Sequence, residues 1–309
     1  MHSWKEGCQF LFLPQAEGTV WEEGLANGSI MIIGVTGGKG GTGKSTFAVN
    51  ISTILSRKYK VKLIDADVEC PNDHILLSRE LKNEKREHVF IPSFNYQKCI
   101  KCGLCQKNCG ENAIVMFKNG YPFLLPNLCS SCKTCYLICP TDAIENGKKI
   151  IGSTFITEIN NNLVLITGML DPGQERSYPM VLRTLERSNE IESEITIIDT
   201  SAGTGNHVAA SLMDADFVFI VTEQTPLGLH DLMMIEKLLE KMEKKYYVIV
   251  NRYGISDIKI EDKVVGNIPF DSRIAESYYK GIPAVDLFKD TEIESYFSKP
   301  LEVIGIWQK

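Results

Sequence analysis

The stretch MIIGVTGGKGGTGKSTFAVN, residues 31–50, decides the fold, because an apolar run, a glycine-rich turn and a helical pattern follow one another in it. Residues 38–45 fit the pattern G-x4-G-K-[ST], whose glycines let successive backbone N–H groups turn towards one anion. A helix that begins near Lys44 adds its positive end to the same place. The pattern therefore predicts a nucleotide phosphate site between a strand and a helix.

Three side chains of this loop carry the expected chemistry. Lys44 is expected to reach the β- and γ-phosphates, Ser45 to ligate Mg²⁺ through its hydroxyl, and Thr46 to support the α-phosphate. The complete set that we assign to ATP binding in the loop is Gly38, Gly40, Gly41, Thr42, Gly43, Lys44, Ser45 and Thr46.

Short apolar runs alternate with helical patterns on both sides of this loop. The predicted strands are residues 31–35, 61–65, 195–199, 217–221, 247–251 and 264–268, and the predicted helices include residues 44–56, 179–187 and 227–241. Strands that alternate with helices indicate the α/β class, with a mostly parallel P-loop sheet and helices on both faces. Residues 150–158 and 163–168 are predicted to add a hairpin that turns at residues 160–162.

Two matching cysteine runs interrupt the alternation between Asp65 and Ile195. Both read C-x2-C-x2-C-x3-C, and Cys129 follows Cys99 by 30 positions. The eight cysteines of the two runs are Cys99, Cys102, Cys105, Cys109, Cys129, Cys132, Cys135 and Cys139. This spacing is typical of [4Fe–4S] ferredoxins, in which each run gives its fourth cysteine to the cluster of the other run.

The crossed arrangement assigns the eight thiols to two clusters. The first would use Cys99, Cys102, Cys105 and Cys139, and the second Cys109, Cys129, Cys132 and Cys135. Zinc is the main alternative, since C-x2-C also binds Zn²⁺, but four-cysteine zinc sites normally use two separated pairs. Disulfides are less favoured still, because residues 1–29 lack the apolar core of an export signal.

The patterns divide the chain into three parts. Residues 30–91 and 148–309 are predicted to form the P-loop domain. Residues 92–147 are predicted to be an inserted α+β ferredoxin-like domain with two clusters and a hairpin over residues 113–125. Residues 1–29 show no periodicity, and we interpret them as an N-terminal extension or a start assigned too early, with an ordinary surface segment as the alternative.

A second lysine, Lys39, stands five residues before Lys44 in the run KGGTGKS. With it, the chain from Met31 onward resembles the deviant Walker A ATPases of the MinD, ParA and Mrp superfamily, interrupted by a bacterial two-cluster ferredoxin domain. The resemblance implies ATP hydrolysis and an ATP-dependent homodimer in which Lys39 reaches the partner's nucleotide. It also implies that Lys39, Lys44, Asp67 and Asp199 are the catalytic residues.

The resemblance gives each carboxylate a separate task. Asp67, the second aspartate of the sequence DAD, would position the attacking water, and Asp65 would act through Mg²⁺. Asp199 begins DTSAGTG, which is similar to a Walker B and switch II segment, and would hold a water bound to Mg²⁺. The predicted magnesium set is therefore Ser45, Asp65 and Asp199.

The resemblance also places the adenine base. Asn251 matches the asparagine whose amide reads adenine, and Pro269 and Phe270 match the lining of the adenine pocket. Asparagine after a strand is also a common turn residue, which leaves a structural role open for Asn251. We take His230 as structural and Cys70 as a neutral, buried thiol.

Three functional hypotheses follow from this combination of parts. The leading one is electron transfer to or from a redox partner protein through two [4Fe–4S] clusters, gated by ATP and Mg²⁺. The second is iron–sulfur cluster assembly or carriage, although carriers of the Mrp type use a late C-x-x-C and no cysteine follows Cys139. The third is spatial organisation of the kind that MinD and ParA perform.

Composition bears on the possible partners. The formal net charge of −6 gives no support to broad nucleic-acid binding. No apolar run approaches the roughly 20 residues of a membrane span. The weakly basic C-terminal segment is predicted to pack Leu301, Ile304 and Trp307 against the domain. We therefore expect a cytoplasmic protein with neither a nucleic-acid nor a membrane partner.

Overall fold

The computed structural model describes residues 30–307, in which helices flank a nine-stranded sheet. The strands of this part of the chain are β1 Met31–Thr36, β2 Val61–Ala66, β3 Lys85–Phe94, β4 Ile114–Met116, β5 Pro122–Leu124, β6 Ile144–Asn160, β7 Leu163–Leu170, β8 Ile195–Thr200, β9 Phe217–Glu223, β10 Lys245–Tyr253 and β11 Val264–Pro269. The helices are α1 Lys44–Leu55, α2 Asp73–Leu76, α3 Leu104–Lys107, α4 Thr134–Leu137, α5 Ser177–Ser188, α6 Asn206–Leu212, α7 Pro226–Lys241, α8 Ser272–Lys280, α9 Ala284–Leu287 and α10 Glu292–Val303. The prediction for residues 1–29 lies outside the described residues.

The large sheet has the strand order β11-β10-β9-β1-β8-β2-β7-β6-β3. All neighbours from β11 to β7 are parallel, whereas β6 is antiparallel to both β7 and β3. The prediction of a mostly parallel α/β sheet is therefore confirmed, and so is the predicted hairpin between β6 and β7. The strands β4 and β5 form a separate antiparallel hairpin, as predicted for residues 113–125.

The core lies in layers on the two faces of the sheet. On one face, Phe47 of α1 packs with Phe219 of β9 and Phe297 of α10. On the other face, Val218 and Ile220 of β9 belong to a second apolar cluster, together with residues of α6 and α7. Successive side chains of one strand thus pack on opposite faces of the sheet. Each fully buried apolar side chain contributes about 1.5–3 kcal/mol to stability.

The last described residues complete the first layer. Leu301 and Ile304 are buried in it, and Trp307 packs against it partly buried. The predicted docking of this segment on the domain is confirmed. Within residues 30–307 no helix is both long and apolar enough to cross a bilayer.

The region with the cysteines departs from the prediction in one respect. Strand β3 was not predicted, and β6 begins at Ile144, six residues before the predicted start at residue 150. The two strands pair over ten positions, from Lys85 opposite Thr154 to Phe94 opposite Ile144, and so extend the large sheet. The predicted boundaries at residues 92 and 147 therefore lie inside these strands, and the stretch that carries the cysteines is residues 95–143.

The parallel strands determine where a ligand can bind. The carboxyl ends of β1, β2, β8, β10 and β11 meet at one edge of the sheet, where open α/β sheets bind their ligands. The phosphate loop leaves β1 at this edge. The neighbouring strands β2 and β8 bring Asp65 directly opposite Asp199 in register.

Candidate functional site

The glycine-rich loop, residues 37–43, is folded as an anion cradle. Gly41 and Gly43 have φ values of 80° and 94°, which L side chains adopt only with strain. Gly43 caps α1, and a Cβ atom there would lie 2.3 Å from Nδ2 of Asn251. Glycine at position 43 is therefore required both by the backbone turn and by the close approach of a side chain from β10.

The side chain of Lys44, the first residue of α1, turns back towards this loop. Its side chain is 7% exposed, and its Nζ donates to the backbone carbonyl of Lys39 at 3.2 Å. Lys39 itself is exposed. The first lysine of the loop is thus presented to solvent, whereas the second is held where phosphate oxygens would enter.

A cleft of about 500 Å³ opens beside the loop, within the usual size of a small-molecule site. We call it the nucleotide cleft. The predicted site residues that line it are Gly40, Gly41, Gly43, Lys44, Ser45, Thr46, Asp67, Asn251, Pro269 and Phe270. The predicted residues that do not line it are Gly38, Lys39, Thr42, Asp65 and Asp199.

Asp65 and Asp199 lie beneath the floor of the cleft and are almost completely buried. Asp65 accepts backbone hydrogen bonds from Asp67 at 3.2 Å, Asn72 at 2.9 Å and Asp73 at 3.1 Å. Burial, followed by the negative charge of Asp199, raises the pKa of Asp65 well above its usual value. The carboxylate of Asp65 therefore holds the backbone N–H groups of residues 67, 72 and 73 in place.

Asp199 has no such partners. Neither of its carboxylate oxygens has a hydrogen bond of normal geometry to residues 30–307. Burial raises its pKa to about 7, although the nearby Ser45 hydroxyl and Lys44 ammonium oppose the shift. The two buried carboxylate oxygens and the Ser45 hydroxyl are oxygen ligands of the kind that hydrated Mg²⁺ takes at a phosphate loop.

Asp67 differs from the other two carboxylates because it lines the nucleotide cleft and is partly exposed. Burial raises its pKa, and the positive charge of Lys44 opposes this effect. A carboxylate at the cleft surface can contact a water that enters with a ligand. Its position is therefore compatible with the water-positioning role that the resemblance implies.

The far end of the cleft is aromatic. Phe270 is 72% exposed there, and the neighbouring rings of Tyr278 and Tyr279 in α8 line the same cavity. Exposed aromatic faces at the mouth of a cleft can stack on a planar base. Sequence reasoning missed Tyr278, Tyr279 and Arg252, although Arg252 directly follows Asn251 and could have been found by that adjacency.

Asn251 makes a contact that the sequence did not reveal. Its Nδ2 donates to the backbone carbonyl of Thr42 at 2.8 Å, and its Oδ1 accepts from the N–H of Arg252 at 2.9 Å. The side-chain amide thus ties the end of β10 to the phosphate loop. In this structure the amide holds the phosphate loop, and the adenine-reading role of Asn251 stays a prediction.

Replacing Asn251 by alanine is expected to weaken binding of ATP and of tripolyphosphate by the same factor of about five, because one lost hydrogen bond costs about 1 kcal/mol. Calorimetric titration with both ligands measures this, with Asn189→Ala, an exposed position at the end of α5, as the matched control. A loss confined to ATP would instead assign Asn251 to adenine.

The two cysteine runs repeat one backbone conformation. Positive φ values occur at Lys101 and Ser131, and again at Gly103 and Lys133, each pair 30 positions apart. Short helices α3 and α4 follow at the same offset. The fourth cysteine of each run accepts a backbone N–H at 3.3 Å, from Ala113 to Cys109 and from Ala143 to Cys139. The sequence repeat is thus also a structural repeat.

The eight cysteines surround two separate cavities. The first cysteine cavity is lined by Cys99, Cys102, Cys105 and Cys139. The second cysteine cavity is lined by Cys109, Cys129, Cys132 and Cys135. Each cavity thus takes three cysteines from one run and the fourth from the other, as the crossed assignment predicts.

The thiols of the second cysteine cavity differ in acidity. Burial, followed by the neighbouring thiol of Cys129, raises the pKa of Cys135 to about 11. The Thr134 hydroxyl, 3.3 Å from Sγ, lowers the pKa of Cys132. Metal and cluster ligation require thiolates, so filling this cavity would release a proton from Cys135 and fix its charge.

A model of the CobQ/CobB/MinD/ParA nucleotide binding domain matches residues 33–284, a range that contains both the phosphate loop and the cysteine runs. An uncharacterized protein of Methanocaldococcus jannaschii is 38% identical over 285 residues, which cover 90% of this chain and 97% of that protein. An iron-sulfur cluster carrier protein of Aquifex aeolicus is 28% identical over 291 residues, which cover 89% of this chain and 67% of the carrier.

Among solved structures, the septum site-determining protein MinD of Pyrococcus horikoshii, complexed with Mg-ADP, is similar with a TM-score of 0.54. The match covers 88% of this chain and 95% of that chain at 19% sequence identity. At this identity the likeness concerns the fold.

Proposed function

The chain belongs to the CobQ/CobB/MinD/ParA nucleotide-binding family of P-loop ATPases, and on that premise we propose that its nucleotide state gates electron transfer through two [4Fe–4S] clusters to or from a protein partner. When bound, the clusters supply one-electron chemistry and MgATP supplies a hydrolysable γ-phosphate. Lys44 contacts the β- and γ-phosphates, Ser45 ligates the magnesium ion, and Asp67 orients the water. Buried Asp199 and Asp65 hold the waters on that ion.

One observation carries the proposed coupling. Two adjacent residues at the start of α5 contact both functional regions. Nη1 of Arg176 donates to Oγ of Ser131 at 3.1 Å, between Cys129 and Cys132 of the second cysteine cavity. The hydroxyl of Ser177 donates to the carboxylate of Glu69, two residues after Asp67. Two side-chain hydrogen bonds at the start of α5 thus connect the segment beside the nucleotide cleft with a cysteine loop.

The neighbouring packing supports this path. Val68 lies in one apolar cluster with Met180 and Val181 of α5, and its carbonyl accepts the N–H of Leu170 at 2.8 Å. We define residues 67–72 as the switch segment. A displacement of this segment by the γ-phosphate would move the start of α5, because the two are hydrogen-bonded and share a core. Arg176 would pass that movement to the loop that holds the second cluster.

The proposal includes an ATP-dependent homodimer. Lys39 is exposed and does not line the cleft of its own chain, which supports a role at the nucleotide of a partner subunit. When two subunits close over ATP, the switch segments of both subunits would respond to the same nucleotide-dependent dimerisation. The electron partner would dock on the cysteine-bearing region, where Leu137, two residues after Cys135, is 75% exposed.

The test is a redox titration of the clusters with and without a non-hydrolysable ATP analogue. We expect the analogue to shift one reduction potential by about 40–130 mV, which corresponds to a coupling free energy of about 1–3 kcal/mol for one electron. Arg176→Ala is expected to abolish the shift while iron content and ATP affinity stay unchanged. Arg183→Ala, a partly exposed position on the same helix, is the matched control.

An undiminished shift in Arg176→Ala would contradict the coupling path. A wild-type protein whose potentials ignore the analogue would contradict the gating as a whole.

Cluster carriage is the second candidate, because an iron-sulfur cluster carrier protein is similar over 89% of this chain. A carrier must give up its cluster, whereas an electron-transfer protein must retain it. Incubation of the iron-labelled protein with MgATP and an apo-ferredoxin separates the two functions. We expect the label to remain on this chain, and its transfer would favour the carrier function.

A further inference from the structure

Asp73 is a buried carboxylate that the sequence analysis did not select. It is the first residue of α2 and directly follows Pro71-Asn72 in the switch region. Its exposed fraction is 0%, and neither carboxylate oxygen has a hydrogen-bond partner among residues 30–307. A fully buried carboxylate without partners is costly unless another ligand compensates its charge.

The backbone fixes where this carboxylate lies. The N–H of Asp73 donates to Oδ2 of Asp65 at 3.1 Å, so that the start of α2 is anchored on the end of β2. Asp65 in turn is paired in register with Asp199. Asp73, Asp65 and Asp199 are therefore placed by strand pairing and a backbone hydrogen bond.

The three carboxylates converge on one point. One oxygen from each of Asp65, Asp73 and Asp199 lies within 4.8 Å of the other two, and all three residues are buried. Oxygen ligands of a single Mg²⁺ ion stand roughly 3–4 Å apart, because the Mg–O distance is about 2.1 Å. Small side-chain adjustments would therefore bring three oxygens onto one ion.

The excess of negative charge at this site indicates that its ligand is a cation. Three carboxylates lie together, and Lys44 is the ammonium group whose positive charge opposes the rise in pKa of Asp199 and of the neighbouring Asp67. One ammonium does not balance three carboxylates. Hard oxygen ligands without sulfur or imidazole favour Mg²⁺ or Mn²⁺ over softer metals.

We propose that Asp65, Asp73 and Asp199 form a divalent-cation site that fills before nucleotide binds, with Asp73 as its third protein ligand. A phosphate loop usually holds Mg²⁺ through one or two carboxylates together with the phosphates of the substrate. A third buried carboxylate gives this chain enough ligands to retain the ion alone. The inference rests on the proposed function only in that Asp65 and Asp199, which ligate the ion directly when no nucleotide is bound, would hold the magnesium of MgATP through water.

The site would give the switch segment a cation-dependent structure. Asp73 follows the switch segment, so that an ion on its carboxylate would fix both ends of residues 67–72 before ATP arrives. ATP would then bind beside a switch segment that is already ordered.

The experiment uses full-length, anaerobically purified protein with its clusters, freed of divalent ions by a brief chelator treatment. Calorimetric titration with MgCl₂, and titration with MnCl₂ followed by the paramagnetic resonance of free Mn²⁺, are both made without nucleotide. We expect one ion per chain. Asp73→Asn, which keeps the shape of the side chain, is expected to weaken this binding at least tenfold, whereas Asp257→Asn on an exposed loop leaves it unchanged.

A second measurement needs no variant. Wild-type protein without nucleotide is expected to unfold at a higher temperature in millimolar Mg²⁺ than in chelator with matched ionic strength. Failure of wild-type protein to bind either ion without nucleotide, or unchanged binding by a folded Asp73→Asn variant, would overturn the proposal in favour of a proton shared among the carboxylates. The redox titration with the ATP analogue, made on the same sample, shows separately whether nucleotide gating holds.

Discussion

Serine in place of Cys135 is expected to leave the protein with about four iron atoms per chain instead of about eight. Cys135 is buried and lines the second cysteine cavity together with Cys129 and Cys109. A serine hydroxyl is a much harder and weaker ligand than a thiolate for an iron–sulfur cluster. Iron and sulfide analysis of anaerobically purified protein, with paramagnetic resonance after reduction, measures the loss.

The matched control is Cys70→Ser. Cys70, which the sequence analysis expected to be buried, is exposed in the switch segment. It lines neither cysteine cavity, so that this variant should keep all of its iron. Stoichiometric zinc in place of iron in the wild-type protein would contradict the iron–sulfur assignment.

The crossed ligand sets allow a sharper form of this experiment. Cys139 belongs to the second cysteine run but lines the first cysteine cavity, together with Cys99. The variants Cys99→Ser and Cys139→Ser should therefore lose the same resonance signal, and Cys135→Ser should lose the other one. If Cys139→Ser and Cys135→Ser instead lost the same signal, each run would serve its own cluster and the crossed assignment would be wrong.

The parallel part of the fold could be predicted because its strands are buried on both faces. Runs such as those of β1 and β9 are continuously apolar, and this signal lies in the strand itself. Strand β3 reads KREHVFIPSF and pairs with a polar half of β6. It lies at the edge of the sheet, where Pro92 and charged side chains are tolerated. Such a strand depends on its partner, and its own residues do not predict it.

The parts of the site differ in the same way, because some depend on local sequence and others on the tertiary structure. The phosphate loop and the cysteine runs are local, since their conformation depends on residues a few positions apart and could be predicted from spacing. The contact of Asn251 with Thr42 joins residues 209 positions apart. The meeting of Asp73 with Asp199 depends on β2 and β8 being neighbours in the sheet. Contacts of this kind require the tertiary structure, because no local pattern encodes them.

Alanine in place of Lys44 is expected to lower the rate of ATP hydrolysis by roughly 10²- to 10³-fold or more, the usual cost of removing one electrostatic contact to the transition state. Lys44 is buried and lines the nucleotide cleft, whereas Arg252, which also lines the cleft, is held by the carboxylate of Glu223. The eight cysteines of the proposed clusters lie on residues 95–143, so that the iron content should be unchanged. Phosphate release by protein with intact clusters measures the effect.

Lys39→Ala is the informative companion, because the two lysines are only five residues apart in the loop and differ in exposure. Lys44→Ala should lose both tight MgATP binding and the potential shift caused by the ATP analogue. Lys39→Ala should still bind MgATP as a monomer, but fail to dimerise and to hydrolyse it. Sedimentation with the analogue distinguishes the two variants. Normal hydrolysis by Lys39→Ala would remove the partner subunit from the mechanism, and a full potential shift in Lys44→Ala would show that the clusters do not respond to nucleotide.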